Sequence, residues 1–324
     1  MMLRDSFGRL VDYLRLSVTD RCNLRCLYCM PPEGIPLKPV EEILTYEELL
    51  RCVRVAVSLG VRKVRVTGGE PLVRGGVVDF IRRLSAIPGV ADLGMTTNGI
   101  GLAEVAGALR QAGLGRVNIS LDTIRRDRYA EITRRDRLPD VISGIDAAVR
   151  EGFSPVKINV VLLHGLLPGE VDDFLGMARD KRVEVRFIER MPMGCLPSEG
   201  YVSADRIRDR ILSLPGVREA RSEEPSAAVR YEVRGFAGTV GIISPISRKF
   251  CSDCNRLRIT ADGRIRNCLF ARETLDLRSV LRRGRGDREV AAIFRKAVIT
   301  KPEGHDLCAG GGSPATEPMS RIGG

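Results

Sequence analysis

The chain has 324 residues, of which 44% are hydrophobic and 29% are charged, which is the composition of an ordinary soluble globular protein. Its net charge of +11 favours an anionic partner such as nucleic acid, a membrane surface or a polyphosphate. The sequence lacks the run of about 18 apolar residues that a membrane span requires, and residues 1–12 lack the apolar core of a signal peptide, so we expect a cytoplasmic protein.

Strands and helices alternate six times between residues 14 and 189. A capping-box sequence at Thr45 starts the first helix, and Gly60 ends it. We predict strands at residues 14–18, 62–67, 92–97, 116–122, 156–163 and 183–189, and helices at residues 45–59, 77–86, 102–112, 138–151 and 169–180. Connections of this length join parallel strands through right-handed crossovers. Six units are fewer than the eight of a closed barrel, so the sequence predicts an α/β fold with an open, partial (βα)6 barrel of TIM type.

The pattern changes beyond residue 191. We predict helices at residues 203–214, 275–282 and 289–298, and two β segments within residues 229–243. Asp262-Gly263 is a strong turn signal and predicts a hairpin of residues 257–260 and 264–266. From residue 301 onward the chain is rich in glycine and proline and should lack regular structure. The predicted units are therefore a barrel (1–192), a smaller α+β region that closes its open side (193–300) and a flexible tail ending in Gly-Gly (301–324).

Six of the nine cysteines form two triplets, and the first lies on the loop after the first strand: Cys22, Cys26 and Cys29. A structural zinc ion takes four protein ligands and a cubic iron–sulfur cluster normally takes four thiolates, so three local donors leave one metal corner open. The alternative is a zinc site that borrows a distant ligand. With only two histidines in the chain, His164 and His305, such a site is hard to build.

The spacing of this triplet, with Tyr28 directly before the third cysteine, resembles the signature of the radical S-adenosylmethionine superfamily. The resemblance implies a 4Fe–4S cluster held by the three thiolates. S-adenosylmethionine would chelate the open iron, and its cleavage would yield a 5′-deoxyadenosyl radical that abstracts hydrogen from the substrate. An open corner is what such chemistry needs.

Gly68-Gly69-Glu70-Pro71 follows the second strand, at the strand end where (β/α) folds place ligands. Two glycines allow close backbone approach, and the glutamate can accept a hydrogen bond from an ammonium group. Taken alone, the tetrapeptide could be only a tight turn. Beside the cysteine loop it resembles the superfamily's segment for the methionine part of the cofactor. The resemblance implies cofactor contacts at Tyr28, Gly69, Glu70, Ser120 and Met191, although Met191 alone would be taken for a core residue.

The second triplet consists of Cys251, Cys254 and Cys268. Residues 250–258, with Asn267-Cys268-Leu269-Phe270, resemble the branch of the superfamily that cyclises GTP in the first step of molybdenum cofactor synthesis. Further matches are Arg65-Val66-Thr67, Thr96-Thr97-Asn98-Gly99, Ser120-Leu121-Asp122, Arg186-Phe187-Ile188-Glu189 and the terminal Ile322-Gly323-Gly324. The resemblance implies a second 4Fe–4S cluster that faces the guanine, and a lyase that joins C3′ of the ribose to C8 of the base.

Cations recur at alternate positions of the predicted strands and therefore share faces, as Lys63 with Arg65 and Arg256 with Arg258. An inward cation costs several kcal/mol unless it is paired, and a triphosphate would pair with several. Alternatively, such cations point outward or pair with carboxylates. The resemblance implies GTP contacts at Arg15, Lys63, Arg65, Thr96, Lys157, Arg186, Arg256, Leu257 and Arg258, and catalytic roles for Arg15, Gly323 and Gly324.

Two other functions are compatible with parts of the sequence. A radical S-adenosylmethionine enzyme that modifies peptides could carry an auxiliary cluster, but such proteins usually have more than three auxiliary cysteines. A basic zinc protein could bind nucleic acid, but the chain has no Trp and only 5% aromatic residues, so stacking platforms are scarce. We therefore expect GTP as substrate, an external electron donor, product hand-off to a cyclic pyranopterin monophosphate synthase, no nucleic-acid or membrane partner, and a monomer or homodimer. Cys52 should lie in the core, and no role is assigned to Cys195 or Cys308.

Overall fold

Twelve strands form one sheet in the residues that the computed structural model describes, which are 2–163, 169–192, 202–220, 226–271, 273–305 and 318–323. Their bounds are β1 Tyr13–Ser17, β2 Lys63–Thr67, β3 Asp92–Thr97, β4 Arg116–Ser120, β5 Val156–Leu162, β6 Val183–Glu189, β7 Val217–Ala220, β8 Val229–Val233, β9 Thr239–Ile243, β10 Arg256–Ile259, β11 Arg264–Arg266 and β12 Leu275–Asp276.

The strand order is β12-β11-β10-β1-β2-β3-β4-β5-β6-β9-β8-β7. The eight central strands, from β10 to β9, are parallel, whereas β11, β12, β8 and β7 pair antiparallel at the two edges. The sheet is not closed between β12 and β7 in the described residues, so the predicted α/β partial barrel is confirmed. The C-terminal region extends both edges of the sheet, because β10 adds to β1 and β9 adds to β6.

Most helices of the described residues cover the outer face of the sheet. Apolar side chains from both layers, such as Phe174 and Phe187 in edge-to-face contact at 6.1 Å, form the core between them. No helix in this part of the chain is long and apolar enough to cross a bilayer. The bounds are α1 Tyr46–Ser58, α2 Val77–Ser85, α3 Leu102–Gln111, α4 Arg126–Thr133, α5 Leu138–Arg150, α6 Glu170–Asp180, α7 Ala204–Leu212, α8 Arg278–Arg282, α9 Asp287–Ile299 and α10 Met319–Ile322.

Local signals explain why several of these elements begin where the sequence predicts. The Thr45 side chain accepts a hydrogen bond from Glu48 N, and the Glu48 carboxylate accepts one from Thr45 N, which completes the predicted capping box of α1. The Ser203 side chain caps α7 by accepting a hydrogen bond from Asp205 N. Cys52 is fully buried in α1, which confirms its predicted place in the core.

Four elements differ from the prediction. The sequence analysis missed α4, because most of its eight residues are charged or polar and only three are buried, and β7, whose four residues are all at least partly exposed. Residues 275–282 are not one helix, since Leu275 pairs with Ile265 as a strand before α8 begins. The tail is not wholly irregular, because α10 forms one helical turn near its end.

Candidate active site

One cavity of about 790 Å³ brings both cysteine triplets to a single site. The first triplet follows the carboxyl end of β1, whereas Cys251 and Cys254 precede the amino end of β10. Since β1 and β10 are parallel neighbours with Tyr13 opposite Arg256, the triplets lie beyond opposite ends of the same strands. Five strand residues at about 3.3 Å each separate these ends by roughly 16 Å, which leaves room for a ligand between them.

The first cysteine loop, residues 22–29, is held against the end of α4. Leu27 N donates a hydrogen bond to Ile132 O at 2.9 Å. Arg134, which has a left-handed backbone (φ 56°) directly after α4, donates from Nη1 to Arg25 O at 2.8 Å. The helix that sequence analysis missed is therefore one of the supports of the loop.

The chemistry of this donor set fits a positively charged metal group. Burial raises the pKa of the Cys22 thiol to about 11 and raises the pKa of Cys26 well above its usual range. These side chains therefore need a nearby cation to become thiolates. In the described residues, no three His, Cys, Asp or Glu side chains converge as ligands of a single ion. Three thiols on one short loop, each able to bind a separate iron, are a donor set that fits an iron–sulfur cluster.

Gly68 and Gly69 lie against the backbone that leads into the cysteine loop. Gly69 N donates to Thr19 O at 2.7 Å, and Glu70 N donates to Arg21 O at 2.8 Å. A Cβ on Gly69 would lie 2.2 Å from Arg21 O, a distance that no side chain tolerates. The glycine is thus required by a close backbone approach, and this contact joins the end of β2 to the cysteine loop.

The carboxylate of Glu70, which we expect to contact the cofactor, accepts its hydrogen bonds from the protein itself. Its side chain is 1% exposed, and its oxygens accept hydrogen bonds from Leu72 N (3.0 Å), Thr97 Oγ1 (2.7 Å) and Asn98 N (2.6 Å). Burial outweighs these hydrogen bonds and raises the pKa of Glu70 to about 7. Glu70 is therefore a positioning residue, which holds Asn98 where its side chain donates to Asn23 Oδ1 at 2.7 Å.

The other predicted cofactor contacts do line the cavity: Tyr28, Gly69, Ser120 and Met191. The Tyr28 hydroxyl donates to Asp122 Oδ2 at 2.8 Å, and Asp122 Oδ1 accepts from Val161 N at 2.8 Å. Burial raises the pKa of Asp122 to about 6 despite both bonds. These side chains gather at the carboxyl ends of the strands, beside the first triplet.

Strand register places the predicted cations in two adjacent rows. Tyr13 lies between Arg256 on β10 and Lys63 on β2, and Arg15 lies between Arg258 and Arg65. All of these side chains line the cavity, as the alternation of strand positions predicts. Leu257, between the two β10 arginines, instead packs in the core and is fully buried. Any contact of Leu257 with a ligand would thus have to come from its backbone.

Two side chains that were not predicted from the sequence hold Arg65 in position. Its Nε donates to the Tyr13 hydroxyl at 3.2 Å and its Nη1 to Asn118 Oδ1 at 2.9 Å. A Cβ at Gly94 would lie 2.8 Å from Arg65 Cζ, so the glycine makes room for the guanidinium. Tyr13 shares a face of β1 with Arg15, and Asn118 shares a face of β4 with Ser120. This period of two could have pointed to both residues.

Glu184 gathers a second group of cations. Its carboxylate lies 2.5 Å from Arg186 Nε, 3.8 Å from Lys157 Nζ and 3.7 Å from Arg230 Nε. Burial, with Arg186 nearby, lowers the pKa of Lys157 to about 7. The predicted contacts Lys157 and Arg186 both line the cavity. Arg230, which we did not predict, lines it beside them. Thr96 also lines it, and its Oγ1 is buried without a hydrogen-bond partner in the described residues, as a ligand-binding hydroxyl would be.

The second triplet also opens into the cavity. Burial would raise the pKa of the Cys254 thiol, but Lys301 and Arg256 outweigh it and lower that pKa. Lys301 is 3% exposed and donates to Arg256 O at 3.0 Å and to Asn267 O, so it joins the two segments that carry these cysteines. His305, which had no assigned role, lines the cavity and donates from Nε2 to Pro245 O at 3.0 Å.

The end of the tail reaches this cavity. Gly323 O accepts a hydrogen bond from Arg258 Nη1 at 2.8 Å, and a Cβ on Gly323, where φ is 81°, would lie 3.0 Å from Ser17 Cβ. Gly323 of the tail therefore lies beside Arg258, one of the predicted cations. Four residues of the sequence analysis lie outside the described part of the chain: Gly324, Cys195, Cys308 and His164.

Two protein-family models match the sequence. One, described as the radical SAM superfamily, covers residues 16–178, and one, described as Molybdenum Cofactor Synthesis C, covers residues 183–307. A GTP 3′,8-cyclase of Moorella thermoacetica is 46% identical over 327 residues, covering 99% of this chain and all of that protein. A GTP 3′,8-cyclase of Heliobacterium modesticaldum is 45% identical over 330 residues, covering 99% of each chain.

Solved structures share the fold at much lower identity. SuiB of Streptococcus suis, in a crystal structure with bound S-adenosylmethionine, superposes with a TM-score of 0.56 at 15% identity. The match covers 85% of this chain and 67% of that one. This likeness supports the partial-barrel architecture.

Proposed function

The chain belongs to the GTP 3′,8-cyclase family of the radical S-adenosylmethionine superfamily, and on this premise we propose how its cavity serves the reaction. The enzyme is a lyase that converts GTP to (8S)-3′,8-cyclo-7,8-dihydroguanosine 5′-triphosphate, the first step of molybdenum cofactor biosynthesis. It binds a 4Fe–4S cluster and S-adenosylmethionine. One observation carries the assignment of roles within the cavity, namely a space with a cysteine triplet beyond each end of the strands and cations along the strands between them.

We propose that Cys22, Cys26 and Cys29 hold the first cluster. When bound, this cluster and S-adenosylmethionine supply the radical that takes a hydrogen atom from C3′ of the ribose. Tyr28, Gly69, Ser120 and Met191 bind S-adenosylmethionine beside the triplet, and Glu70 keeps the neighbouring Asn98 loop in place. These residues adjoin one end of the cavity, so the reacting carbon has to lie near the carboxyl ends of the strands.

We propose that Cys251, Cys254 and Cys268 hold a second 4Fe–4S cluster that faces the guanine. The nearby Lys301 ammonium favours thiolate at Cys254, which is the form that binds iron. Placing the base and C3′ between the two triplets orients C8 toward the ribose, and this orientation supplies much of the rate of an intramolecular ring closure.

The cations that line the strands are proposed to bind the triphosphate: Arg15, Lys63, Arg65, Lys157, Arg186, Arg256 and Arg258. Guanidinium groups form paired hydrogen bonds with phosphate, and Thr96 adds a buried hydroxyl without a protein partner. Arg15, Gly323 and Gly324 are proposed to act at the reacting groups. The contact between Arg258 and Gly323 O supports this role for the tail, because it holds a backbone carbonyl among the cations.

The same activity leads to proposals about the partners of the protein and about the functional units of the chain. We propose an external electron donor, hand-off of the product to a cyclic pyranopterin monophosphate synthase, a monomer or homodimer, and a cytoplasmic location. We also propose functional units at residues 1–192, 193–300 and 301–324. The peptide-modifying alternative is not favoured, since the relatives that match nearly the whole chain are named for GTP cyclisation.

Anaerobic turnover tests this function. The reconstituted protein is incubated with S-adenosylmethionine, a reductant and each nucleoside triphosphate in turn, and 5′-deoxyadenosine and the cyclised nucleotide are measured. We expect GTP alone to give both products in equal amounts. Formation of 5′-deoxyadenosine that depends on a peptide and ignores GTP would contradict the proposal.

Iron analysis tests the two cluster sites separately. Replacing Cys251, Cys254 and Cys268 by Ala should remove about half of the bound iron and abolish cyclisation, while S-adenosylmethionine still binds. Cys52→Ala, in the core of α1 and outside both triplets, is the matched control and should keep full iron content. Unchanged iron in the triple variant would contradict a second cluster at these residues.

A further inference from the structure

The negatively charged groups of the cavity are unevenly distributed among the strands. Three carboxylates line it in the described residues, and each is engaged: Asp92 pairs with Arg116, Asp122 accepts from Tyr28, and Glu184 holds its own group of cations. These carboxylates belong to β3, β6 and the loop after β4. The strands β10, β1 and β2 contain no Asp or Glu. The acidic side chain that lies among the cations of these three strands is therefore a phenol and not a carboxylic acid.

The phenol belongs to Tyr13, which lies on β1 in the same row as one cation of β10 and one of β2. The register places Tyr13 directly between Arg256 and Lys63, and its hydroxyl accepts a hydrogen bond from Arg65 Nε at 3.2 Å. Arg15, two residues along the same strand, faces the same side. The phenol oxygen of Tyr13 is thus a hydrogen-bond acceptor for the Arg65 guanidinium at the wall of the cavity.

We propose that Tyr13 is a positioning residue for the nucleotide: its phenol oxygen is the internal anion of the Arg15, Lys63, Arg65, Arg256 and Arg258 cluster, and it takes up a proton when the phosphates of GTP enter. The inference deepens the proposed function and rests on it, since it takes the triphosphate of GTP as the entering anion. In the absence of nucleotide the phenolate offsets part of the positive charge and holds Arg65 in place. In the complex the phosphates offset that charge, and Tyr13 stays as a neutral partner of Arg65.

The charges around Tyr13 determine whether the affinity for GTP rises or falls with pH. Burial by itself would raise the pKa of Tyr13, but the guanidinium groups of Arg65, Arg15 and Arg256 outweigh it and lower the pKa to about 7. A polyphosphate among the same arginines places negative charge near the oxygen, which raises the pKa again. GTP thus binds more tightly to the protonated form, and affinity falls as the pH rises through about 7.

Calorimetric titration of GTP into the anaerobic, cluster-loaded protein with S-adenosylmethionine tests this inference. Titrations at pH 6 and pH 8 compare the natural protein with Tyr13→Phe, which cannot ionise. The ratio of the two dissociation constants, natural protein over variant, should rise about tenfold between these pH values, because one pKa unit corresponds to a factor of ten. The ionisation of GTP itself cancels in this ratio. At pH 8, repeating the titration in two buffers of different ionisation enthalpy should give an uptake that is larger by nearly one proton in the natural protein than in the variant. Lys157, whose pKa is also about 7, takes up a proton in both proteins alike, so the difference belongs to Tyr13.

Each outcome of this experiment has a distinct meaning. Tyr46→Phe, a tyrosine outside the cavity, is the control and should behave like the natural protein. No proton uptake by the natural protein at pH 8 overturns the inference without recourse to any variant. Equal proton uptake by the natural and Tyr13→Phe proteins, or equal pH dependence of their GTP binding, overturns it as well. Failure of the natural protein to bind GTP at all would instead count against the proposed function.

Discussion

The close approach of Gly69 to the cysteine loop makes Gly69→Ala a demanding test of how the cofactor site is built. The new Cβ would lie 2.2 Å from Arg21 O, 2.6 Å from Arg21 C and 2.9 Å from Asp20 O. All three atoms belong to the backbone, so no change of rotamer relieves the overlap. An ordinary contact of about 3.4 Å requires the two segments to separate by about 1.2 Å.

That displacement has a calculable cost. The bonds Gly69 N to Thr19 O and Glu70 N to Arg21 O, now 2.7 and 2.8 Å, would lengthen to about 4 Å and be lost. Two lost hydrogen bonds cost about 1–3 kcal/mol, and the overpacking adds a similar amount. We therefore expect Gly69→Ala to lower the free energy of unfolding by about 2–6 kcal/mol. A shift of about 1 Å near the reacting groups can also slow catalysis about 100-fold.

Urea unfolding, iron content and 5′-deoxyadenosine formation measure the two effects separately. Gly75→Ala is the matched control: it lies in the same loop, and its Cβ would meet no atom within 4 Å. We expect Gly75→Ala to match the natural protein in all three measurements. If Gly69→Ala unfolds at the same urea concentration and cleaves S-adenosylmethionine at the natural rate, the backbone contact is not what positions the cysteine loop.

Three further predictions concern other parts of the site. Glu70→Gln replaces an acceptor of buried N–H groups by an amide, so it should destabilise the protein by about 1–3 kcal/mol in urea unfolding and weaken binding of S-adenosylmethionine; unchanged values for both would refute the positioning role. Gly323→Ala adds a Cβ 3.0 Å from Ser17 Cβ at a left-handed backbone, so cyclisation should fall at least tenfold while iron content stays normal; natural turnover would contradict this. The pKa of Lys157 is lowered to about 7 on folding, so between pH 7 and pH 9 the unfolded state binds one more proton at this residue, which contributes a rise of about 1 kcal/mol per pH unit to the free energy of unfolding. Tyr13, whose pKa is also lowered to about 7, adds a similar rise. The slope of Lys157→Met should therefore be about 1 kcal/mol per pH unit smaller than that of the natural protein, whereas exposed Lys296→Met should keep the natural slope; equal slopes in the two variants would refute the argument.

Sequence reasoning located the parts of this protein whose signal is local. The cysteine spacings, the Gly68-Gly69 turn and the capping box at Thr45 are each contained in a few consecutive residues. Alternation along single strands was enough to place Arg65 and Arg258 on the inward face. Short polar elements gave no such signal, which is why α4 and β7 escaped prediction although α4 supports the cysteine loop.

Contacts between distant segments required the tertiary structure. The resemblance of its segment predicts Glu70 as a cofactor contact, and only the structure shows that the turn directs its carboxylate toward the backbone of Asn98. Alternation along their strands gives Tyr13, Glu184 and Arg230 a face, but only the register of neighbouring strands shows which cations each of them meets.

The sequence by itself therefore determined the chemistry that is available, which is two sets of three thiolates and a series of cations at period-two positions. Only the tertiary structure decided which charges meet, since an ion pair such as Glu184 with Arg230 joins residues 46 positions apart in the chain. The physical reason is that side-chain periodicity is encoded along one strand, whereas electrostatic partnership depends on the register and order of strands within the sheet.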